Sequence, residues 1–445
     1  VSAIETVIGT AAGTDGVRLL GNGTVAISEI ERVYGTTATG EVVQLVGAET
    51  LSISLVDSVL GSASTDVLTL LSAGSLAVSE VETVTGSTGV NTVRLLSEGT
   101  VAMSLVESVI GSAGTDVLKM RGAGVVSISA IETVLGSTAI NEKVQLLAAD
   151  TYAVSAVETM LGSSGTDIVS LLGASAGLKI SRIETVLGSS GTDSLSMLST
   201  GSLVVSNIET VMGTTGTGDI VTTLSGGSLA VTLVDTVIGT SGNGDSVRML
   251  SNTVAVSAVE TVIGSSAVTD KVTMLQSGAI SVSAVETVVG TGSADSVTML
   301  SSGAINVSNV ETVVGTASSD TFVFSGNIGV SVTGGGGADN YTAGSGADVF
   351  IFTAVNDSNT SVVDTITGFA AGAGGADRID LNAITGGSGS LVTDPTAFAN
   401  GGTAHAIMRT AGVLEVDTDG NGITDMKINL AGVPANGLDS GDIRW

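Results

Sequence analysis

The sequence predicts an all-β chain built as a parallel right-handed β-solenoid of about 13 coils of 25–26 residues, on three observations. First, a segment like Glu286-Thr287-Val288 returns thirteen times, with its acid at Glu5, Glu31, Asp57, Glu82 and onward to Glu286 and Glu311, each step 25 or 26 residues. A fixed period in this range is the mark of a solenoid. Second, apolar and polar residues alternate inside the repeat with no helical period. Third, the alternating segments are separated by Gly/Ser/Thr/Asp clusters of the kind that make turns. Right-handed crossovers are the default between parallel strands.

Three strands fit one repeat. The first reads Val285-Glu286-Thr287-Val288-Val289 and ends at Gly290. The second follows an acid after the turn: from Asp295 it runs Ser296-Val297-Thr298-Met299-Leu300, apolar two and four places on. The place between is polar or basic, as at Arg18, Gln44, Arg94, Lys119 and Arg248. The third strand is the cleanest, as in Val25-Ala26-Ile27-Ser28 and Ile280-Ser281-Val282-Ser283. Three strands and three turns are expected to close one coil, so that like residues stack over like at about 4.8 Å. Met249, Met274 and Met299 then form a core ladder. The first strand leaves two alternatives open. Strict alternation puts Val285, Thr287 and Val289 on one face, so either an outward valine row packs on something or a local bulge turns it inward.

A second acid column precedes the second strand: Asp15, Glu41, Asp66, Asp116, Glu142 and on through Asp245, Asp270, Asp295 and Asp320, with Asn91 as its one interruption. Carboxylates about 4.8 Å apart repel by roughly 1 kcal/mol in water and several at lower effective dielectric. Basic neighbours are too few to offset this, with 14 Lys+Arg against 43 Asp+Glu and a net charge of −29. Two answers stand for the Asp column: a hard cation such as calcium, which takes carboxylate and carbonyl oxygens, or hydrogen bonds from turn amides. The Glu column reads as a solvated outer face.

Composition narrows the class. Hydrophobic content of 43% separates the chain from disordered acidic tails. The absence of cysteine removes disulfide scaffolds and zinc–thiolate sites. The acidic balance argues against nucleic acid, and no apolar run reaches the length that spans a bilayer. The chain opens inside a repeat, at Val1-Ser2-Ala3-Ile4-Glu5, so further sequence is expected upstream.

At 334–351 the pattern sharpens. "GGGGADNYT" (334–342) matches the nonapeptide G-G-x-G-x-D-x-U-x in full, and "AGSGADVFI" (343–351) departs only at Ala343. This resembles the RTX (repeats-in-toxin) calcium-binding secreted proteins. The resemblance implies a β-roll in which six-residue turns alternate with three-residue strands and bind calcium between stacked turns. Its ligand turns, carried over by position, are Gly334, Gly335, Gly337 and Asp339, then Gly344, Gly346 and Asp348. Asp320, 19 residues before Asp339, is placed to share an ion with it. "GSAGTDVLK" (111–119) differs from the nonapeptide only by Ser112, which makes the long array a looser relative and extends the metal expectation to Asp245, Asp270 and Asp295. After residue 352 the period stops. "DTITGFAAGAGGADRIDL" (364–381) and "DTDGNGITDMKINLAGV" (417–433) resemble the C-terminal region of type I-secreted serralysin-type exoproteins, which caps the roll and carries the secretion signal. The expected domains are a repeat array at 1–331, the β-roll at 332–352 and the cap with its secretion region at 353–445. Asp417, Asp419 and Asp425 have an EF-hand-like rhythm, but Ile428 holds the twelfth position, so a hairpin turn is the expectation there.

No nucleophile elbow, HExxH, P-loop or dinucleotide fingerprint is present. The one histidine, His405, lies among apolar residues. No enzyme activity is expected. The leading expectation is a secreted, calcium-binding structural protein of the bacterial cell surface, part of a surface layer, filament or matrix. The alternative is the stalk of a larger RTX adhesin or exoenzyme. Expected partners are calcium ions, further copies of the chain, head-to-tail or through the outward apolar row, and a cell-surface polysaccharide; an ice-binding face lacks the Thr-x-Thr rows it needs.

Overall fold

The computed structural model describes residues 4–242, 244–265, 269–372, 376–392, 398, 401–409 and 412–445, so Val1–Ala3 of the first repeat and 373–375 of the cap segment lie outside the described residues. The chain divides into two compact units, Val1–Val221 and Thr222–Trp445. Both are built of short parallel strands stacked into a β-solenoid. No helix is long and apolar enough to cross a membrane.

The coil is smaller than the sequence repeat, which corrects the expected coil count from about 13 to roughly 22. Three strands do form in each repeat, but two strands close a coil. In the first unit Gly23–Ser28, a third strand, pairs with Glu41–Leu45, a second strand, through Gly23↔Glu41. Glu41–Leu45 then pairs with Ser58–Leu60, a first strand, through Val42↔Ser58. Ser58–Leu60 pairs with Gly74–Ser79 through Ser58↔Ala77, and the cycle begins again. Successive strands of the chain go to opposite sheets, so each repeat advances one and a half coils. Like residues therefore do not stack over like. Each sheet repeats in the order third, second, first, and consecutive repeats face opposite ways. Met249 and Met299 lie in one sheet and Met274 in the other; all three are buried, but they make no single ladder.

Inside each coil, Val, Leu and Ile point inward from both sheets, as at Leu51, Leu68 and Val84, which are fully buried. Burying such a side chain contributes about 1.5–3 kcal/mol. The first strand resolves neither as a bulge nor as a strict alternation. It starts only at Thr287, and the corner before it holds Ala284 in the left-handed region at φ 50°. That corner turns Val285 and Val288 both inward while Val289 faces outward. The same corner occurs at Glu29, Leu55, Glu80, Leu105 and Ala130, with φ between 51° and 55°. A left-handed residue with a Cβ costs about 1–2 kcal/mol. The glycine closing each first strand is explained by this corner. At Gly111 an added Cβ would overlap the carbonyl of Ala130, and Gly86 meets that of Leu105 in the same way.

In the second unit the three-residue strands Ser331–Thr333, Asn340–Thr342 and Val349–Ile351 continue both sheets of the array, with Val332 over Val313 and Tyr341 over Phe322. The core turns aromatic here: Phe322 and Tyr341 stack at 5.1 Å, and Phe350 meets Tyr341 edge-on at 5.4 Å. Asp364–Thr367 and Arg378–Asp380 add one more strand to each sheet. Met426–Ala431 covers the first of these and joins an antiparallel meander with Val413–Asp417 and Ala404–Met408. A short helix, Asn382–Thr385, stops at Gly386 in the left-handed region.

Candidate metal centre: the carboxylate rungs

The two acid columns inferred from the sequence are one system of rungs. Along the array the backbone N–H of a second-column acid donates to the side chain of a first-column acid about 16 residues on, in the neighbouring coil. Asp66 donates to Glu82 Oε2 at 2.6 Å, Asp116 to Glu132 Oε2 at 2.6 Å, and Asp295 to Glu311 Oε2 at 2.6 Å. The Glu column is thus not a solvated face, which corrects that expectation. Glu82, Glu132 and Glu311 are half-buried because each reaches back over the preceding coil.

The second-column carboxylates are buried: Asp66, Asp116 and Asp270 are 0% exposed and Asp295 1%. The turn before each one supplies donors. Ser112 N–H and Oγ both donate to Asp116 Oδ2, at 2.6 and 2.9 Å. Thr291 N–H and Oγ1 do so for Asp295 Oδ2, and Thr240 N–H and Oγ1 for Asp245 Oδ2. Ser265 Oγ serves Asp270. The other oxygen reaches the preceding coil, as where Gly278 N–H donates to Asp295 Oδ1 at 3.1 Å. Hydrogen bonds to a charged group contribute about 1.5–3 kcal/mol each, enough together to offset much of the desolvation. These are the bonds that the turn-amide alternative calls for.

The nonapeptide turns have the same rungs and fewer donors. Asp320 N–H donates to Asp339 Oδ1 at 2.8 Å, which brings those two predicted residues together. Asp339 N–H donates in turn to Asp364 Oδ1 at 2.9 Å. The Tyr341 hydroxyl stands 3.4 Å from an oxygen of each. Gly335 and Gly337 have φ of 92° and 107°, and a Cβ on either would strike the backbone of Thr316–Ser319 in the turn below. A Cβ on Gly334 would meet the Tyr341 hydroxyl. The turn therefore offers no serine or threonine hydroxyl to Asp339 of the sort that Ser112 gives Asp116. Burial pushes the Asp339 carboxyl up to about 6 and the Asp364 carboxyl up to about 8, with backbone N–H donation opposing and the neighbouring carboxylate adding to the rise.

The second nonapeptide lies at the other edge of the sheets. Asp348 accepts from Val330 N–H at 2.9 Å and from Gly344 N–H at 2.8 Å, and its own N–H donates to Asp377 Oδ1. A Cβ on Gly346 would strike Ile328 and Gly329. Burial raises Asp348 and Asp377 above the usual carboxylate range. Asp364 and Asp377 were missed in the sequence. Their signal was an acid directly before an alternating triplet, Thr365-Ile366-Thr367 and Arg378-Ile379-Asp380, but insertions had removed the spacing.

The side chains gathered at these nonapeptide turns are oxygen groups, the carboxylates and the Tyr341 hydroxyl, with backbone N–H groups donating to the carboxylates, and the glycines let successive turns approach backbone to backbone. Donor chemistry of that kind fits a hard divalent cation such as calcium. Asp417, Asp419 and Asp425 also cluster, with ligand atoms within 4.8 Å of one another. They sit in the loop of a β-hairpin, where Asp417 accepts from Gly420 and Gly422 N–H and Asp425 from Thr418. His405 lies across the sheet from Asp417, its Nδ1 buried and without a hydrogen-bond partner. No protein-family model matches the sequence, and no curated protein matches it.

Proposed function

We propose that the chain is a secreted, calcium-stabilised structural protein of a bacterial extracellular assembly, related to the RTX proteins. The observation that carries this reading is the pair of ladders Asp320–Asp339–Asp364 and Asp348–Asp377. They are buried carboxylates stacked at glycine turns, and burial pushes Asp339, Asp364, Asp348 and Asp377 above the usual carboxylate range. Calcium would be held by Asp339, Asp348, their neighbours and the carbonyls of the glycine turns, with Asp245, Asp270 and Asp295 as further ligands along the array. Bound there, the ion would supply the positive charge that the ladders lack, and it stabilises by mass action because the unfolded chain has no preformed site. Low calcium inside the cell would leave the roll loose for export, and higher calcium outside would close it.

Assembly is the second part of the reading. Large apolar side chains recur exposed five residues after the second-column position, as at Leu20, Leu71, Leu96, Leu172, Leu275 and Leu300. Recurrent exposed apolar groups mark contact surfaces. Because consecutive repeats face opposite ways, both sides of the coil carry them, and a contact repeated on two sides propagates rather than closes.

Electron microscopy of the purified protein, in millimolar calcium and in chelator, tests the proposal. Ordered filaments or sheets in calcium that disperse in chelator are expected. Isolated particles in both conditions, with a melting temperature indifferent to calcium, would reject it.

A further inference from the structure

Strands within each sheet of the first unit are parallel, so the segments that follow the strands of one sheet gather at one edge. The acids of this unit that lie outside the two columns are confined to one such edge. Glu29, Glu49, Glu80, Glu98 and Asp150 follow Gly23–Ser28, Glu41–Leu45, Gly74–Ser79, Asn91–Leu95 and Glu142–Leu146, all strands of one sheet. Glu29, Glu80, Glu98 and Asp150 are exposed. Val46, Leu96 and Leu147 stand exposed among them. The opposite edge, where strands of the other sheet end, carries the exposed Leu55, Leu71 and Leu105 and Arg121. An advance of one and a half coils sends alternate repeats to alternate edges, and the sequence follows it. The left-handed corner holds Glu29 and Glu80 on the first edge, and Leu55 and Leu105 on the second.

The outer face of the sheet that feeds the acidic edge has the reverse charge. Val125, Lys143, Thr159, Lys179, Ser196 and Met212 lie side by side on consecutive strands, each in register with the next. They point outward, between buried neighbours such as Val144, Ile180 and Leu195. Val125 is 53% exposed and Met212 43%. Two bases are thus flanked by two exposed apolar side chains in one straight stripe. Among the described residues, the only acids on this sheet's strands within the first unit, Glu41 and Glu142, are buried at their strand starts. The ion pairs among the described residues involve Arg409, Lys427 and Arg444 of the second unit, so neither Lys143 nor Lys179 has a carboxylate of its own chain at ion-pair range.

We propose that the Lys143–Lys179 stripe is a docking surface for the acidic edge of a second copy of this chain, so that copies associate edge on face. The inference rests on the assembly reading above and gives that assembly a defined contact. Charge complementarity carries it: one surface of the first unit is basic, another is acidic, and opposite potentials steer and orient an encounter between copies. The apolar groups match as well. Lysines flanked by Val125 and Met212 meet glutamates interspersed with Val46 and Leu96. An anionic polysaccharide would answer the lysines alone, which favours a second copy as the occupant. Because the two surfaces differ, the contact is heterologous, and each copy keeps a free edge and a free face for the next one.

The test uses the full chain and two charge-reversed variants, K143E/K179E on the stripe and E80K/E98K on the edge, followed by sedimentation velocity in millimolar calcium at low ionic strength. All four side chains lie at the surface, and Arg182 already occupies, at φ 54°, the corner position that Glu80 holds at φ 52°. Each variant is expected to melt with wild type. Each alone should associate at least about tenfold more weakly, because like charges then face each other. An equimolar mixture should recover, since the reversed stripe of one variant fits the reversed edge of the other. A mixture that fails to recover, or a variant that associates as wild type does, would overturn the proposal and leave the assembly reading standing. K143E/K179E that loses binding to alginate, a polyuronate, yet associates as wild type does would make the stripe a polysaccharide site and overturn it too. Wild type that stays monomeric in calcium would reject both.

Discussion

The Asp116 rung of the array and the Asp339 rung of the roll solve one electrostatic problem with different means. Both bury a carboxylate at the end of a turn, and both pass its N–H to the acid of the next coil. At Asp116 the turn contains Ser112, whose N–H and Oγ both bind the carboxylate. At Asp339 the turn is Gly334 to Gly337, with no hydroxyl, and the nearest O–H is that of Tyr341 at 3.4 Å. One carboxylate is served by its own turn; the other is pushed up to about 6 by burial. A serine in place of the second glycine therefore marks a turn that can close on hydrogen bonds, and under the proposed calcium reading an all-glycine turn marks one that takes an outside charge.

The largest expected effect breaks the frame that the two regions share. Gly111→Ala places a methyl on the Ala130 carbonyl, and overpacking of this kind costs about 3 kcal/mol. Gly122→Ala, in open space, should change stability by less than about 0.5 kcal/mol. Urea denaturation of the two variants measures the gap.

Next comes the difference in calcium dependence. Calcium at a hundred times its dissociation constant should stabilise the roll by about 2.7 kcal/mol per site. Asp339→Ala with Asp348→Ala should remove most of the calcium-induced rise in melting temperature. A double variant that responds to calcium like wild type would show that the ion acts elsewhere.

The pH dependence should separate the regions again. Asp339 and Asp364 hold their protons more tightly folded than unfolded, since their folded pKa values lie above the usual 3.8. Their protonated forms therefore favour the folded state, and that contribution is lost as pH rises through about 6 and then about 8. In chelator, the second unit should melt several degrees lower at pH 8.5 than at pH 5, and calcium should shrink the difference. Hydrogen exchange at Phe322, Tyr341 and Phe350 amides reports this region alone.

The smallest effect concerns the corners. Leu105 sits at φ 54° with a side chain 61% exposed. Leu105→Gly should stabilise by up to about 1 kcal/mol, the cost of a left-handed Cβ less the added entropy of glycine in the unfolded chain. A loss of stability would mean that the leucine packs on something after all.

Much of this was legible in the sequence for a physical reason. Strand alternation such as Leu76-Ala77-Val78-Ser79 is written directly in side-chain polarity, and the acid before each second strand is a turn signal that survives without any knowledge of the coil. Coil closure was not legible. The repeat length counts three strands and the coil needs two, so period and coil agree only every second repeat. That mismatch hid the Asp–Glu rungs, because partners 16 residues apart carry no mark at a period of 25. The corners were hidden too, since Glu29, Leu55 and Ala130 occupy a conformation usually announced by glycine. Asp364 and Asp377 were lost because insertions of irregular length separate them from the ladders they extend.

Every rung in this account depends on two strands closing each coil, and the absence of cysteine makes that directly measurable. Lys119 lies beside Leu135 in adjacent strands, whereas Gln145 holds the equivalent of Lys119 in the next repeat and belongs to the other sheet. Neighbouring strands bring Cα atoms to about 4.8 Å, within reach of a disulfide. Oxidation of the K119C/L135C variant should give a near-complete intramolecular disulfide, and K119C/Q145C should give none. Cross-linking of the second pair and not the first would place one repeat in one coil and contradict the account.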